Sequence, residues 1–468
     1  MNNNNFAINK LSPVIIQLGL LITLLFLSQA CTVPTTNTNT NANAPAIASS
    51  SPSPSPATSP VKASADAQLT LPLLDALLRD DKFVSQLKSK LQLTDAQVEQ
   101  LKQASTDELA RLRDENAEDQ DGNATEARER ATQRIASILG ESKTTELANL
   151  AYAFWATGGV EGNGNGAEMP AIPNTVPADT RVVVNIPAYR MDLFRNGSLV
   201  KSYKIGIGYP QFPLPQGLRK AQTIIFNPSW TPPDSPWVAK MKDVTPGERI
   251  EPGSSLNPLG PIKIPIGLPS LIHGGKAPAK LGQFASHGCV GLTNAQVKDF
   301  AKLLAEASGA QLSERDIARY LQDKTQTRVV KLGQTVPVEL RYETIVVEAG
   351  KLHIYKDVYD QATNTEENLR KVLEANGLRF EELTSDERTQ VISALNAMSA
   401  HPQKTVEPSP APTNSNKSKV ESRKPTPDPK KQKEIVLEMA SLKERGYPPP
   451  VDLDTGTGKP RSSSALSR

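Results

Sequence analysis

Between Arg181 and Ile207 three short runs, Arg181 to Ile186, Arg190 to Phe194 and Leu199 to Ile207, are rich in β-branched, aromatic and large apolar residues, and Asn196-Gly197 separates the last two. Asn-Gly accepts the positive φ values of a two-residue hairpin turn, whose twist matches that of the strands it joins. A chain built this way opens a mainly β domain near Thr180. Further strand-like runs extend it at Thr223 to Phe226, Ile262 to Ile266, Val336 to Tyr342 and Ile345 to Val347. Thr293 to Ala307 changes to helical spacing, with Thr293 or Asn294 available as its cap.

The whole chain cannot be one globule, because 38 prolines and 5% aromatic residues in 468 positions leave too little to bury. Apolar residues recur at helical spacing from Leu69 to about Phe154, as in Leu87, Leu91, Val98 and Leu101, with Thr94-Asp95 placed to cap a helix. The expected fold class is α+β multidomain: a mainly β domain at 180–360, preceded by a small helical module at 67–156 and a Gly-, Asn- and Pro-rich linker at 157–179. One or two helices follow at 361–400. The Ser/Thr/Pro-rich stretch 32–66 reads as a disordered tether, and the basic, Pro-rich 401–468 as a disordered tail.

Residues 1–31 read as an export signal, with Lys10, an apolar run from about Val14 to Leu27, and small residues ending at Ala30. Leu27-Ser28-Gln29-Ala30-Cys31 resembles a bacterial lipoprotein processing site, which makes Cys31 the lipidation candidate; cleavage after Ala30 and a retained signal anchor are the alternatives. The implied location is the cell envelope, outside the cytoplasmic membrane, with the membrane as a partner through lipid or signal anchor. Two cysteines exclude a disulfide framework. A net charge of +3, set against 53 basic and 50 acidic residues, gives no reason to expect a nucleic-acid partner.

If Cys31 is acylated, Cys289 is the one free thiol of the mature chain. It stands in Ala285-Ser286-His287-Gly288-Cys289-Val290-Gly291-Leu292, after Ile272-His273-Gly274-Gly275, so two of the four histidines neighbour it. Cysteine chemistry needs thiolate, and a thiol with its ordinary pKa needs a base or a positive environment to supply it. Histidine suits that task. A loop folding back from His273 to Cys289 would join the two, Gly288 would allow close approach, and amides near the following helix N-terminus could bind an oxyanion. The bland alternatives are a buried apolar thiol, a satisfied polar His287, and a metal site with His273. Zinc is disfavoured, since about four ligands are wanted and no second cysteine or acidic cluster completes the set.

At these residues the sequence resembles the L,D-transpeptidase catalytic domain, the YkuD family, whose signature is a His-Gly pair followed by Ser-His-Gly-Cys. Asp192-Leu193-Phe194 with Asn196-Gly197, Pro213-Leu214-Pro215-Gln216-Gly217, Asn257-Pro258-Leu259-Gly260, Pro337-Val338-Glu339-Leu340 and Leu352-His353-Ile354-Tyr355 agree with it in order. The resemblance implies a β-sandwich-like fold at 180–360, Cys289 as nucleophile, His273 as base with the Gly274 carbonyl orienting its ring, and Ser286, His287 and Gly288 shaping the pocket. It implies no cofactor and no metal. The implied substrates are peptidoglycan stem peptides, with a second stem, an envelope protein or water as acyl acceptor. A carboxypeptidase of the same fold and a catalytically impaired wall-binding scaffold are the competing readings. The family commonly has arginine two residues after the cysteine, where this chain has Gly291; Lys276, Lys280 and Lys298 are the nearby cations.

Overall fold

The structure, a computed structural model, describes residues 69–114, 124–157, 169–399 and 432–457, all within the compact unit that begins at Pro60. The signal segment with Cys31, the tether at 32–66, linker residues 158–168, and tail residues 400–431 and 458–468 lie outside the described residues. Among the described residues no helix is long and apolar enough to cross a membrane.

The helical module comprises α1 (Leu71–Leu78), α2 (Asp81–Lys90), α3 (Asp95–Asp114), α4 (Ala124–Leu139) and α5 (Glu141–Thr157). Caps begin three of them: the Thr70 hydroxyl accepts from Leu73 N, Asp80 accepts from Lys82 N, and Thr94 and Gln97 form a reciprocal pair ahead of α3. Apolar positions one turn apart meet in a core of Leu74, Leu77, Phe83, Leu87, Leu101, Leu147 and Trp155. There the Phe83 and Phe154 rings pack edge to face at 5.1 Å.

The β domain contains β1 (Arg181–Asn185), β2 (Arg190–Arg195), β3 (Ser198–Lys204), β4 (Ile207–Gly208), β5 (Gly217–Phe226), α6 (Pro236–Ala239), β6 (Ile262–Pro265), β7 (Leu271–His273), β8 (Phe284–Ser286), β9 (Val290–Gly291), α7 (Asn294–Ala307), α8 (Glu314–Gln322) and β10 (Arg328–Arg341). Eight strands form one mixed sheet in the order β3-β2-β1-β10-β5-β6-β7-β9, while β4 and β8 pair separately. The hairpin joining β2 to β3 turns on Asn196 and Gly197, with φ of 49° and 80°. Alternate residues Val182, Val184, Met191 and Leu193 face a core that is covered by Val297, Phe300, Ala301 and Leu304 on one side of α7. The sandwich expected at 180–360 takes the form of this single sheet curling back on itself. Gly206, just beyond β3, and Gly291 of β9 exchange both backbone hydrogen bonds at 2.9 Å, so the two ends of the sheet meet.

Ordered structure reaches further than expected. While Tyr359 packs into the core of the β domain, β11 (Ile345–Glu348) and β12 (Lys351–Tyr355) share a further core with α9 (Glu366–Ala375) and α10 (Ser385–Met398). That core is completed by residues assigned above to a disordered tail: β13 (Glu434–Glu438) pairs antiparallel with β12, and Met439 and Leu442 are buried. Ile435 and Leu437 pack against the core while Val436 is exposed, the alternation of an edge strand. Further on, Val451 and Asp454 hydrogen-bond to Ser202 and Lys204, covering the open edge of β3. The linker also ends in ordered structure, since the Asn174 side chain donates to Ile345 O and accepts from Val347 N.

Candidate active site

β7 and β9 run parallel, with Ile272 opposite Val290 and His273 opposite Gly291. Ile272 and Val290 face the core. Alternation therefore turns Leu271, His273 and Cys289 to the other face, together with the position a side chain at Gly291 would occupy. Cys289 immediately precedes β9, where its thiol hydrogen-bonds the backbone of Leu271. The fold thus brings nucleophile and base candidates onto one face of adjacent strands.

Each is held by its own scaffold. His273 is buried and its Nδ1 lies 2.7 Å from Gly274 O. A carbonyl only accepts, so Nδ1 carries the proton and Nε2 is left basic. The Gly274 N–H donates to Ile262 O, and a Cβ at 274 would stand 2.8 Å from Val297 Cγ1. The next amide, Gly275 N, donates to Asn294 Oδ1 at 2.7 Å. Ser286 closes the turn that presents Cys289: its Oγ donates to Cys289 O at 2.6 Å and accepts from Cys289 N at 3.1 Å. Gly288 takes a φ of 89° in that turn, and its carbonyl accepts from Ser270 Oγ at 2.7 Å. His287 sits against Tyr209 and Phe212, with ring centroids 5.3 and 4.7 Å away.

Burial dominates the electrostatics. It pulls His273 down to about 3, reinforced by the charge of Lys276 and opposed by backbone contacts with Gly274 and Leu259. His287 is pulled to about 3 by burial, then by Lys276 and Lys240. The Cys289 thiol is pushed up by burial, against the Leu271 backbone contact and the charge of Lys276. No hydrogen bond joins Cys289 to His273 in this arrangement. Burial thus favours the uncharged form of both thiol and imidazole.

β9 stands between Cys289 and α7, whose capping box engages the Gln296 amide through Thr293 Oγ1, and the Cys289 amide is bonded to Ser286 Oγ. Trp230 packs with Val238 and Leu259 in a small core. His353 bonds Glu434 at 2.5 Å, where β12 pairs with β13; His401 lies outside the described residues. Sequence reasoning missed Ser270 and Asn294 as supports, since their partners are backbone groups that only folding brings near.

The helical module leans on the same region. Thr70 Oγ1 donates to Gln211 O at 2.9 Å, Leu109 and Leu112 cluster with Phe212, and Leu73 Cδ2 lies 3.9 Å from where a Cβ on Gly288 would be. Arg128 donates to Tyr359 O and Asp360 O, both at 2.7 Å. Among the described residues no group of His, Cys, Asp and Glu could hold a metal ion.

Residues 179–337 match the family model of the L,D-transpeptidase catalytic domain, YkuD. Similar solved structures include the catalytic domain of an E. faecium L,D-transpeptidase, 16% identical, covering 36% of this chain and 100% of that one, with a TM-score of 0.24. An L,D-transpeptidase from Mycobacterium smegmatis is 16% identical over 35% of this chain and 59% of that one, with a TM-score of 0.20. One from Mycobacterium tuberculosis H37Rv is 16% identical over 35% and 58%, also at 0.20. The match thus spans little more than half of the two mycobacterial chains. A comparison with curated protein sequences finds no match. At residues 179–337 the chain carries a catalytic domain of the YkuD family of L,D-transpeptidases.

Proposed function

We propose that this domain is a peptidoglycan L,D-transpeptidase acting through Cys289. The observation that carries the reading is the shared strand face of Cys289 and His273, with the Nδ1 proton of His273 committed to Gly274 O. As a donor tetrapeptide binds, His273 Nε2 takes the thiol proton while Sγ bonds to the carbonyl carbon of the L-centred third residue. The C–N bond then breaks, His273 returns the proton to the departing D-alanine amine, and a thioester remains. An acceptor amine attacks that thioester and displaces Sγ. A second stem peptide gives a cross-link, an envelope protein lysine a tether, and water a carboxypeptidase product.

Because burial favours the uncharged form of both groups, proton transfer belongs to the reaction itself rather than to a preformed thiolate–imidazolium pair. Ser286, Gly288 and His287 shape the turn that aims Sγ. We place the protein in the cell envelope, held at a membrane through lipid on Cys31; labelled palmitate entering the native chain but not Cys31→Ala is the check.

Mass spectrometry of the purified chain incubated with disaccharide-tetrapeptide tests the activity. Cross-linked dimer that disappears in Cys289→Ala and His273→Ala supports transpeptidation. D-Alanine release without dimer makes it a carboxypeptidase, and retention on peptidoglycan without turnover makes it a scaffold.

A further inference from the structure

We propose that Lys276 is the specificity-determining cation of this site and reads the terminal carboxylate of the donor peptide. This rests on the transpeptidase reading and adds which donors the site accepts. A Cβ on Gly291 would point to the face that carries His273 and Cys289, yet it would meet Lys276 at 2.8 Å from Cγ, 3.3 Å from Cδ and 2.9 Å from Cε. The absence of a side chain at 291 is therefore what lets the lysine stem lie across the strand beside the imidazole.

The stem is also anchored at its root. Lys276 N donates to Leu292 O at 3.0 Å, one residue beyond β9, while Leu292 N donates to His273 O at 2.8 Å. Lys276 thus belongs to the same short hydrogen-bonded ladder as the base. It is partly exposed whereas His273 is buried, so its ammonium can meet a solute that reaches the site.

The charge pattern singles out this lysine. The charge of Lys276 weighs on Cys289, His273 and His287 alike. Lys263 acts on His273 and Lys240 on His287, while Lys280 and Lys298 are exposed. The charges that weigh most on the thiol and both rings are all lysines, so the site favours an anionic ligand. In the proposed donor the leaving D-alanine carries its carboxylate one residue beyond the bond that breaks. An ammonium set beside the nucleophile can hold it while Sγ attacks.

The experiment compares two donors on the full chain, a disaccharide-tetrapeptide ending in the free carboxylate and the same compound ending in a carboxamide. The native protein should prefer the carboxylate by about tenfold or more in kcat/KM, chiefly through KM, as a charge-assisted contact would give. Lys276→Arg should keep the preference, and Lys276→Met, which retains an aliphatic stem over Gly291, should lose it. Gly291→Ala keeps the lysine but crowds its stem, so it should weaken the preference in the same direction. Equal loss on both donors in Lys276→Met would mean the lysine acts only on the thiol and would overturn the proposal, as would a native protein indifferent to the carboxylate. A native protein that turns over neither donor removes the transpeptidase reading itself.

Discussion

Ser270 donates its hydroxyl to the Gly288 carbonyl at 2.7 Å, tying the residue before β7 to the turn that carries Cys289. The two are 18 positions apart, and the bond holds the strand of the base and the loop of the nucleophile in one frame. Ser270 is 1% exposed, so its loss leaves a buried carbonyl without that donor. Ser270→Ala should cost about 1–3 kcal/mol in urea unfolding. It should also lower kcat more than it raises KM, because the turn that aims Sγ loosens; an unchanged kcat would separate this bond from the reaction.

Thiol reactivity offers a substrate-free reading of the site. Burial raises the Cys289 pKa above the ordinary thiol value of 9.0. The thiolate fraction at neutral pH is then smaller than that of a free cysteine. Alkylation by iodoacetamide should therefore climb with pH to a midpoint above that of a free thiol, and Lys276→Met, by removing a charge that favours thiolate, should move it higher still. A midpoint near neutrality would show a preformed ion pair.

Buried His273 and half-buried His287 make stability sensitive to acid. Their folded pKa values, each about 3, lie below the ordinary 6.5, so the unfolded chain binds protons first as pH falls. Their contribution is fully present above about 6.5 and declines from there to about 3, by roughly 1.4 kcal/mol per pH unit for each ring. His287→Asn should flatten the dependence of unfolding free energy on pH across that window, measured by chemical denaturation; an unaltered slope would mean that other groups set the acid limit.

Arg219 in β5 is completely buried, and none of its three guanidinium nitrogens has a hydrogen-bond partner among the described residues. Burial pulls its pKa down to about 9, opposed by Tyr152 of α5. A buried charge without compensation costs several kcal/mol. Arg219→Met, which keeps the stem and removes the charge, should raise the thermal midpoint. A fall would show that the guanidinium has a partner under working conditions.

The outline of the molecule was legible where information is local. Asn196-Gly197 sets its own positive φ values, Thr293 and Gln296 cap α7 from within four residues, and spacing along α3 names its buried face. The same holds for Ile272-His273-Gly274 and Ser286-His287-Gly288-Cys289, whose residue types announce the chemistry. β13 was hidden because Ile435 to Leu437 is a short apolar run in polar surroundings, and its pairing partner, β12, lies some eighty residues earlier.

By itself, then, the sequence determined the opening strands with their hairpin, the cap of α7, and the residue types that make Cys289 and His273 candidates, all properties carried by adjacent residues. Tertiary structure decided the rest: that Gly206 meets Gly291 and closes the sheet, that Lys276 lies where a side chain at 291 would be, and that burial favours uncharged thiol and imidazole. The physical reason is common to all three. Strand closure, close approach and desolvation depend on which distant segments come together, and neither periodicity nor motif encodes that locally.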